Sequence, residues 1–387
     1  MSTATHTHGL DGSMVEADWP ALTADEVRRV LGKFAGLDGE IALLSVSPRP
    51  FSAASVVRMG DKRVFIKRHV RAVRDRAALA EEHRFIEYLM ARGAPVDRVL
   101  HAKSGETAIE MDAWTYEAHA TPDGIDLYEE AISWTPFRCA AHARAAGAAL
   151  ARLHEAARGY EAPKRAARPL IGSFSIFAAD DASHELEDYL TARPALSSDA
   201  QTRRDCDKAM ALLKPFHTEL RPLLSRIEPL WTHNDLHASN LFWSDDSDEA
   251  QATAIIDFGL ADRTYAVHDL AVAIERNIVE WLKLGGPDVP VHFDHLAALL
   301  DGYASVRRLS TAEAAALAPM LAVCHAEFAL TEADYFLGVL HAPERARVAT
   351  HDYLVGHAEW FLSSAGQGLL DAVRGWAEEH AKGRPSR

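Results

Sequence analysis

The segment WTHNDLHASNLFW, residues 231–243, places His, Asn, Asp, His, Ser and Asn between two apolar ends that each carry a tryptophan. It contains the spaced set His233-x-Asp235-x-x-x-x-Asn240, and Asp257 follows seventeen residues after Asn240 in the segment IIDFG. An acidic loop, SDDSDEAQ, separates LFW from TAIIDFG, which predicts a β-hairpin. The sequence therefore predicts two carboxylates and one amide at neighbouring strand ends.

This combination of side chains suits phosphoryl transfer, because that reaction depends mainly on positioning and charge neutralisation. A carboxylate must accept a hydroxyl proton, and oxygen ligands must hold Mg²⁺ against the nucleotide phosphates. Upstream, the segment VFIK ends in Lys67 on a predicted strand, and the next predicted helix carries Glu82, which could pair with that lysine. Taken singly, these residues could equally be turn, capping or strand-end residues, so their order carries the prediction.

The ordered set VFIK, a helix containing Glu82, HNDLHASN and IIDFG resembles the aminoglycoside phosphotransferase and choline kinase superfamily. Members of that superfamily share the protein-kinase-like fold. The resemblance covers about residues 38–280, and the chain beyond them matches only as a helical continuation. It implies an enzyme that moves the γ-phosphoryl group of ATP, or of GTP, to a hydroxyl of a small molecule.

The resemblance also implies a role for each matching residue. Asp235 would be the catalytic base that orients and deprotonates the acceptor hydroxyl. Asn240 and Asp257 would hold Mg²⁺. Lys67 would bind the α and β phosphates of the nucleotide, and Glu82 would fix Lys67 in place.

Three further expectations concern the surroundings of these residues. Glu81 competes with Glu82 as partner of the lysine, and we favour Glu82 because its spacing to the turn at Gly93 matches the family. His233 is expected to brace the catalytic loop, and Asp269 to begin a helix and help to brace the same loop.

The loop between the first two predicted strands, SPRPFSAAS, departs from the glycine-rich loop of protein kinases. Ser52 and Ser55 could supply donors to the nucleotide there. His237 and Ser239, inside the catalytic loop, could face either substrate or solvent.

The predicted fold class is α+β, with the two lobes of a protein-kinase-like fold and one cleft. Residues 1–20 are predicted to be a disordered tail, residues 21–120 an N-lobe, and residues 121–387 a larger, mostly helical C-lobe with the acceptor pocket. The N-lobe prediction rests on GEIALLSVS, SAASVVRM, RVFIKRH and TAIEMDAWTYEAHA, which read as strands of a small antiparallel sheet, and on one main helix over residues 73–90.

Other classes of function fit the sequence less well. A protein Ser/Thr kinase would need a long activation segment, but only twelve residues separate Asp257 from Asp269, and His237 stands where those kinases usually carry lysine. A pseudokinase-like nucleotide-binding protein would be expected to lack the base or a metal ligand. A metal hydrolase is disfavoured because no HExxH or comparable ligand pair occurs.

The acceptor is the least determined part of the prediction. A cationic amino alcohol or an aminoglycoside would suit the acidic residues of the helical half, although solvent exposure is the simpler interpretation for each of them. These residues are Glu275, Glu280, Glu327, Glu332 and Asp334. The connection over residues 160–200 is expected to shape the pocket. Homoserine-type, choline-type, sugar and antibiotic acceptors all stay open.

Composition narrows the partners of the chain. Its 387 residues include 41 Lys and Arg against 56 Asp and Glu, a net charge of -15 that argues against a nucleic-acid partner. The basic segment RHVRAVRDR, residues 68–76, is interpreted as a solvated helix face.

Three dispersed cysteines predict free thiols. We find no apolar run near the ~20 residues of a membrane span and no signal peptide, so a cytoplasmic protein without a membrane partner is expected. The oligomeric state stays open.

Overall fold

A computed structural model of the chain describes residues 6–8, 14–47, 50–284 and 288–381. The chain divides into two compact units, Met1–Asp123 and Gly124–Arg387. Part of the predicted tail, residues 1–5 and 9–13, lies outside the described residues. In the rest, β1 (His6–His8) pairs antiparallel with β2 (Met14–Glu16), and the Trp19 ring meets Trp114 edge-on at 5.5 Å between centroids. Disorder was thus the wrong prediction for these residues, because aromatic packing and strand pairing order them.

The N-terminal unit is built on an antiparallel sheet, as predicted. Its strands run in the order β3-β4-β5-β8-β6, and β7 also pairs with β8. They comprise β3 (Ile41–Val46), β4 (Ala53–Met59), β5 (Lys62–Val70), β6 (Arg98–Val99), β7 (Ala108–Met111) and β8 (Trp114–Ala120). Two helices accompany them, α1 (Ala24–Leu31) and α2 (Arg76–Ala91).

Side chains alternate between the two faces of this sheet, as they must in a strand. Val64 and Ile66 of β5 belong to the apolar core that also contains Val27 and Leu31 of α1. On the other face, Lys67 of β5 stands directly opposite Glu117 of β8 in the strand register. One face is therefore apolar and the other carries ionisable groups.

The basic segment over residues 68–76 is not a solvated helix face, and that interpretation was wrong. Arg68 lies on β5 and is buried, where its guanidinium donates to Glu26 at 2.8 Å. Arg74 is also buried and donates to a carboxylate of α2. The helix begins only at Arg76, because the Asp75 carboxylate caps it by accepting from the backbone N–H of Ala78 at 2.8 Å.

The C-terminal unit is mostly helical, as predicted. Its helices are α3 (Ala140–Ala157), α4 (Ala182–Thr191), α5 (Pro194–Ser198), α6 (Ala200–Leu224), α7 (Ala266–Ile278), α8 (Phe293–Val306), α9 (Thr311–Val323), α10 (His325–Gly338), α11 (Pro343–Arg347), α12 (Gly356–Leu362) and α13 (Ser364–Ala381). Four short strands interrupt them, β9 (Leu230–Thr232), β10 (Leu241–Trp243), β11 (Ala252–Ile255) and β12 (Asp262–Thr264). β9 pairs with β12, and β10 with β11, both antiparallel.

Helices α3 and α8 approach each other closely through two glycines. A Cβ atom at Gly147 would lie 2.0 Å from the carbonyl oxygen of Leu299, and one at Gly302 would lie 2.0 Å from the carbonyl oxygen of Arg144. Any larger residue at either position would force the two backbones apart. This contact fixes α3 against α8, and α3 carries His154, which bonds to Asp269, the residue expected to brace the catalytic loop.

Residues Thr311–Gly338 are long and apolar enough to cross a membrane, so the statement that no run approaches that length was wrong. These residues form α9 and α10, and 83% of the apolar window is buried inside the protein. A core helix pair of an ordinary globular unit gives the same composition. The three cysteines are free thiols, as predicted.

Candidate active site

The loop between β9 and β10 carries the set His233-x-Asp235-x-x-x-x-Asn240. Strand β9 ends at Thr232, and a single turn of 3₁₀ helix over Ala238–Asn240 leads into β10. Asn234 has a φ of 63°, in the left-handed region that asparagine adopts more readily than most residues. The chain therefore reverses sharply just before Asp235.

Asp269, in the first turn of α7, holds this reversal in place. Its Oδ2 accepts hydrogen bonds from the backbone N–H of His233 at 2.8 Å and from the ring of His154 at 3.0 Å, while Oδ1 accepts from the backbone N–H of Asn234 at 2.8 Å. The carboxylate is fully buried. The predicted bracing role is confirmed, but the helix begins at Ala266, so Asp269 does not start it.

His233 braces the loop from within, as predicted. Its Nδ1 accepts from the backbone N–H of Asp235 at 3.2 Å, so Nε2 carries the ring hydrogen and donates it to the carbonyl of Ile256 at 3.0 Å. Its ring also meets Phe258 edge-on at 4.7 Å between centroids. This histidine ties the loop to the segment that contains Asp257.

Three polar residues of the loop, Asn234, His237 and Ser239, have mainly structural contacts. The Asn234 amide oxygen accepts from the hydroxyls of Thr232 at 2.9 Å and Thr264 at 3.1 Å, and its amide nitrogen donates to the carbonyl of Leu260 at 3.1 Å. Ser239 and His237 bond to each other at 2.8 Å, and both are buried. Neither is a solvent-facing residue.

Asp235 lies at the tip of this loop with its side chain 20% exposed. Its Oδ1 is 3.3 Å from Nη2 of Arg276, a residue of α7 whose side chain is only 2% exposed. Burial raises the pKa of Asp235 to about 6, while the charge of Arg276 opposes this shift. A carboxylate with that pKa is ionised at neutral pH and remains basic enough to take a proton.

Asn240 and Asp257 are the two residues predicted to hold Mg²⁺. The Asn240 amide nitrogen donates to the Asp235 carbonyl at 2.9 Å, and the Asn240 carbonyl accepts from the backbone N–H of Ile256 at 3.0 Å. Asp257, next in the chain, is exposed and has a φ of 62°. The Asn240 amide nitrogen already donates a hydrogen bond to Asp235. The Asn240 amide oxygen and the Asp257 carboxylate therefore form an oxygen donor set of the kind that Mg²⁺ prefers. The residues present therefore fit this ion.

The other two predicted site residues belong to the N-terminal unit. Lys67 lies on β5, and Glu82 is buried on α2, where Arg74 Nε donates to its Oε1 at 2.9 Å. Glu81 is less buried than Glu82. Arg74 was missed as a partner of Glu82, since the basic segment around it was interpreted as a solvated surface. The Ser55 hydroxyl, a predicted nucleotide donor, instead donates to the carbonyl of Ser45 within the sheet.

Comparison with known sequences identifies the family. The sequence model described as "Phosphotransferase enzyme family" matches residues 46–309, more than half of the chain. The chain belongs to the phosphotransferase enzyme family.

Named relatives of the phosphotransferase include two homoserine kinases. That of Methylobacterium radiotolerans is 28% identical over 254 residues, which cover 66% of this chain and 68% of the relative. That of Gluconobacter oxydans is 28% identical over 196 residues, which cover 48% of this chain and 51% of the relative.

Solved structures similar to the phosphotransferase support the fold. A microcompartment-associated aminopropanol kinase superposes with a TM-score of 0.58 at 20% identity, covering 89% of this chain and 99% of that one. An amicoumacin kinase superposes with a TM-score of 0.52 at 14% identity, covering 94% and 95%. The protein-kinase-like α+β fold predicted from the sequence is therefore confirmed, and the family match identifies the chain as a phosphotransferase.

Two residues that support the loop of the phosphotransferase were missed in the sequence. Arg276 contacts Asp235. The side-chain amide of Asn277 accepts from the backbone N–H of Ala238 at 3.0 Å and donates to the Leu236 carbonyl at 2.9 Å. Their positions follow Asp269 by seven and eight residues, which is two helical turns. Helical spacing from Asp269 would have placed them on the face that meets the loop.

The acidic residues proposed as acceptor contacts are mostly buried, so the interpretation of simple solvent exposure was wrong for four of them. Glu275, Glu327, Glu332 and Asp334 are all at most 6% exposed, while Glu280 is partly exposed and contacts Lys283. Charged side chains tolerate burial only with partners. Glu327, for example, accepts from the backbone N–H of Ile176 at 2.7 Å and is thereby a structural residue.

A small cavity of the phosphotransferase lies beside Asn234. It is lined by residues of α7 and α10 and by Gly172 and Ser173 of the connection over residues 160–200, whose role in shaping the acceptor pocket stays a prediction. Arg276 and Phe328 both line this cavity, and the Arg276 guanidinium lies 3.8 Å from the centre of the Phe328 ring. Burial raises the pKa of Glu332 to about 8, with the charge of Arg276 opposing the shift and that of Asp235 adding to it. The Oε2 atom of Glu332 has no hydrogen-bond partner among the described residues.

Proposed function

We propose that the chain transfers the γ-phosphoryl group of ATP to a hydroxyl of a small amino alcohol, with Asp235 as the catalytic base. The observation that carries this proposal is the braced loop, in which Asp235 and Asn240 lie together and His233 ties them to the segment of Asp257. Such preorganisation is what phosphoryl transfer requires. GTP is the alternative donor. Because both donors are intracellular nucleotides, we propose action in the cytoplasm.

In the proposed reaction, the acceptor hydroxyl gives its proton to the Asp235 carboxylate while its oxygen forms a bond to the γ-phosphorus. The bond between that phosphorus and the oxygen bridging it to the β-phosphorus breaks, and ADP leaves. Arg276 keeps Asp235 oriented and ionised. Asn240 and Asp257 would hold Mg²⁺, which neutralises charge on the phosphates when bound.

The proposed nucleotide contacts of the N-terminal unit are Lys67 for the phosphates and Glu82 to orient that lysine. Arg74 shares the Glu82 carboxylate, so this side chain would have two basic neighbours in the proposed arrangement. Among the solved relatives, the amicoumacin kinase binds AMP-PNP and Ca²⁺, which supports a nucleotide donor used with a divalent cation.

A small acceptor is favoured over a polypeptide. The stretch after Asp257 passes through one 3₁₀ turn and the three-residue strand β12 before α7 begins at Ala266. This path contains no extended segment on which a polypeptide could dock. A pseudokinase is disfavoured because the base and both proposed metal ligands are present.

The amino alcohol is supported by charge. Glu332 is a buried carboxylate near Asp235 and Arg276, and burial raises its pKa to about 8. A bound ammonium group would add to the charge of Arg276 and favour the ionised form of this carboxylate. The names of the relatives agree with this class, since homoserine and aminopropanol both carry an amine and a hydroxyl.

The test is an ADP-release screen with Mg²⁺ and either ATP or GTP against amino alcohols, homoserine, choline, aminoglycosides and sugars. Asp235→Asn should lower turnover about 10²- to 10⁴-fold and keep nucleotide affinity. Asp246→Asn, at an exposed position in the hairpin loop, is the matched control and should be fully active. Nucleotide binding without turnover of any acceptor would support the pseudokinase instead.

The acceptor class has a separate test. Glu332→Gln should raise KM for a cationic amino alcohol about 10- to 100-fold, because it removes one charge-assisted contact. It should leave KM for a neutral diol unchanged. Glu280→Gln, which alters a carboxylate already paired with Lys283, is the control. Equal effects of Glu332→Gln on both acceptors would exclude it as the ammonium contact.

A further inference from the structure

A second group of buried ionisable side chains lies in the N-terminal unit, outside the residues assigned to phosphoryl transfer. Its centre is Glu117 of β8, a carboxylate that is 6% exposed. Three imidazoles converge on it. His69 Nε2 lies 2.8 Å from Oε1, while His83 Nε2 and His119 Nε2 lie 2.8 Å and 3.1 Å from Oε2.

The three histidines come from different elements of the unit. His69 is on β5, His83 on α2 and His119 on β8, so the group joins the helix to two strands of the sheet. Each is at most 7% exposed. Burying so many polar groups is unfavourable unless each charge is offset, which makes an incidental assembly improbable.

A fifth residue orients one of these rings. Asp97 Oδ2 lies 2.7 Å from Nδ1 of His119, so the second nitrogen of that ring, Nε2, is directed at the Glu117 carboxylate. A carboxylate behind a histidine is the usual outer support of a protein metal ligand, because it fixes the ring and raises its basicity.

The ligand atoms are close enough to share one ion. His83, Glu117 and His119 each offer one donor atom, and these atoms lie within 4.8 Å of one another. Two neutral imidazoles and one carboxylate form a donor set typical of zinc. A divalent cation would also balance the two negative charges of Asp97 and Glu117.

We propose that His83, His119 and Glu117 form a buried zinc site, with His69 on the second oxygen of Glu117 and Asp97 supporting His119. The ion fastens α2 to the sheet and so stabilises the N-terminal unit. This site is independent of the proposed phosphotransferase reaction, and neither proposal depends on the other.

The test begins with the unaltered protein. After removal of metals with a chelator and dialysis, Zn²⁺ is added back and the bound metal is measured by mass spectrometry. About one tightly held zinc per chain is expected, together with a higher unfolding temperature. Co²⁺ used in place of zinc should give the intense visible absorption of a four-coordinate ion. A chain that retains no zinc after dialysis would overturn the proposal.

Variants locate the bound ion. His83→Ala with His119→Ala should abolish tight zinc binding, and the milder Asp97→Asn should weaken it about 10- to 100-fold while preserving the fold. The matched control is His292→Ala with His295→Ala, because these residues and Asp294 are the other such group in the described part of the chain. Loss of zinc from the control, or unchanged affinity in Asp97→Asn, would contradict the assignment.

Discussion

Both units bury a histidine beside a carboxylate, but the two environments drive its charge in opposite directions. At His119, burial lowers the pKa, but the charge and hydrogen bond of Asp97 outweigh it and raise the pKa to about 10. At His268, burial dominates over the charge of Asp269 and lowers the pKa to about 4. Without a metal, the first ring is therefore charged at neutral pH and the second is neutral.

The difference lies in what each carboxylate contacts. The oxygens of Asp269 are occupied by the backbone N–H groups of His233 and Asn234 and by His154. At His119, by contrast, carboxylate oxygens of Asp97 and Glu117 lie 2.7 Å and 3.1 Å from the two ring nitrogens. At His119 two carboxylates thus face one ring, whereas at His268 the oxygens of Asp269 are directed at other groups. One network fixes a backbone, whereas the other is made of side chains that can exchange protons for a metal.

The largest effect is expected from Asp269→Ala, which leaves two loop N–H groups and His154 without their acceptor. The free energy of unfolding should fall by about 3–5 kcal/mol, and turnover should drop at least about 100-fold as Asp235 loses its position. Denaturant unfolding and ADP release measure the two effects. Asp294→Ala, at an exposed position of α8, is the control. A folded variant with full turnover would show that the loop does not depend on this carboxylate.

The next largest effect is the pH dependence that His268 gives to stability. The pKa of His268 is lowered in the folded state. Between pH 6.5 and 4 the unfolded chain therefore binds a proton at this residue and the folded chain does not, so the free energy of unfolding falls as the pH drops through this range. The loss from this residue approaches about 3 kcal/mol at the lower end. Denaturant unfolding across this range measures it.

His268→Asn is the informative variant for that pH dependence. The asparagine amide can replace the ring nitrogen that lies 3.2 Å from Asn234 Oδ1, but it does not titrate. The variant should lose the contribution of His268 to the slope of stability against pH. An unchanged slope would mean that His268 is not held neutral by burial, and the contrast with His119 would fail.

A smaller effect is expected from Glu117→Gln, measured on the metal-free chain. The amide keeps the size of the side chain but can no longer accept from three imidazoles, so the free energy of unfolding should fall by about 2 kcal/mol. Glu40→Gln changes an exposed residue and is the control. A loss as large as that of Asp269→Ala would remove the distinction between a backbone network and a side-chain network.

The smallest effect belongs to Tyr303→Phe. The Tyr303 hydroxyl lies 2.7 Å from His154 Nδ1 and accepts from Arg307 at 3.0 Å, one contact away from the Asp269 carboxylate. Its removal should lower the free energy of unfolding by about 1 kcal/mol and leave turnover nearly unchanged, since Asp269 keeps both backbone donors. A large loss of turnover would show that Tyr303 of α8 also helps to hold the catalytic loop in place.

The parts of the fold that follow from local chemistry could be predicted from the sequence. Thr23 and Glu26 form a capping box, a local sequence signal that begins α1, and the alternation of VFIK places Lys67 on a strand. The hairpin of β10 and β11 and the bracing contacts of His233 also follow from the motif. The deciding residues of the capping box, the strand and the hairpin are close together in the chain, whereas the contact of His233 with Ile256 spans 23 positions.

The parts that depend on distant contacts could not be predicted. Arg68 and Arg74 look like solvated charges until Glu26 and Glu82, on separate helices, are seen to neutralise them. Glu327 likewise looks like an exposed helix residue, but backbone groups of the connection over residues 160–200 surround it. Burial of a charge is set by its partner, and sequence periodicity does not identify that partner.

The apolar stretch of α9 and α10 has a consequence for how the chain is made. Helix α9 packs against α6 and α7, which are synthesised before it, and against α13, which is synthesised after it. Translation must continue from Val323 to at least Ser364 before this last cover exists, a delay of a few seconds at typical rates. During that interval the nascent chain exposes a surface that chaperones bind and that promotes aggregation, so changes that weaken α13 should reduce the yield of folded protein.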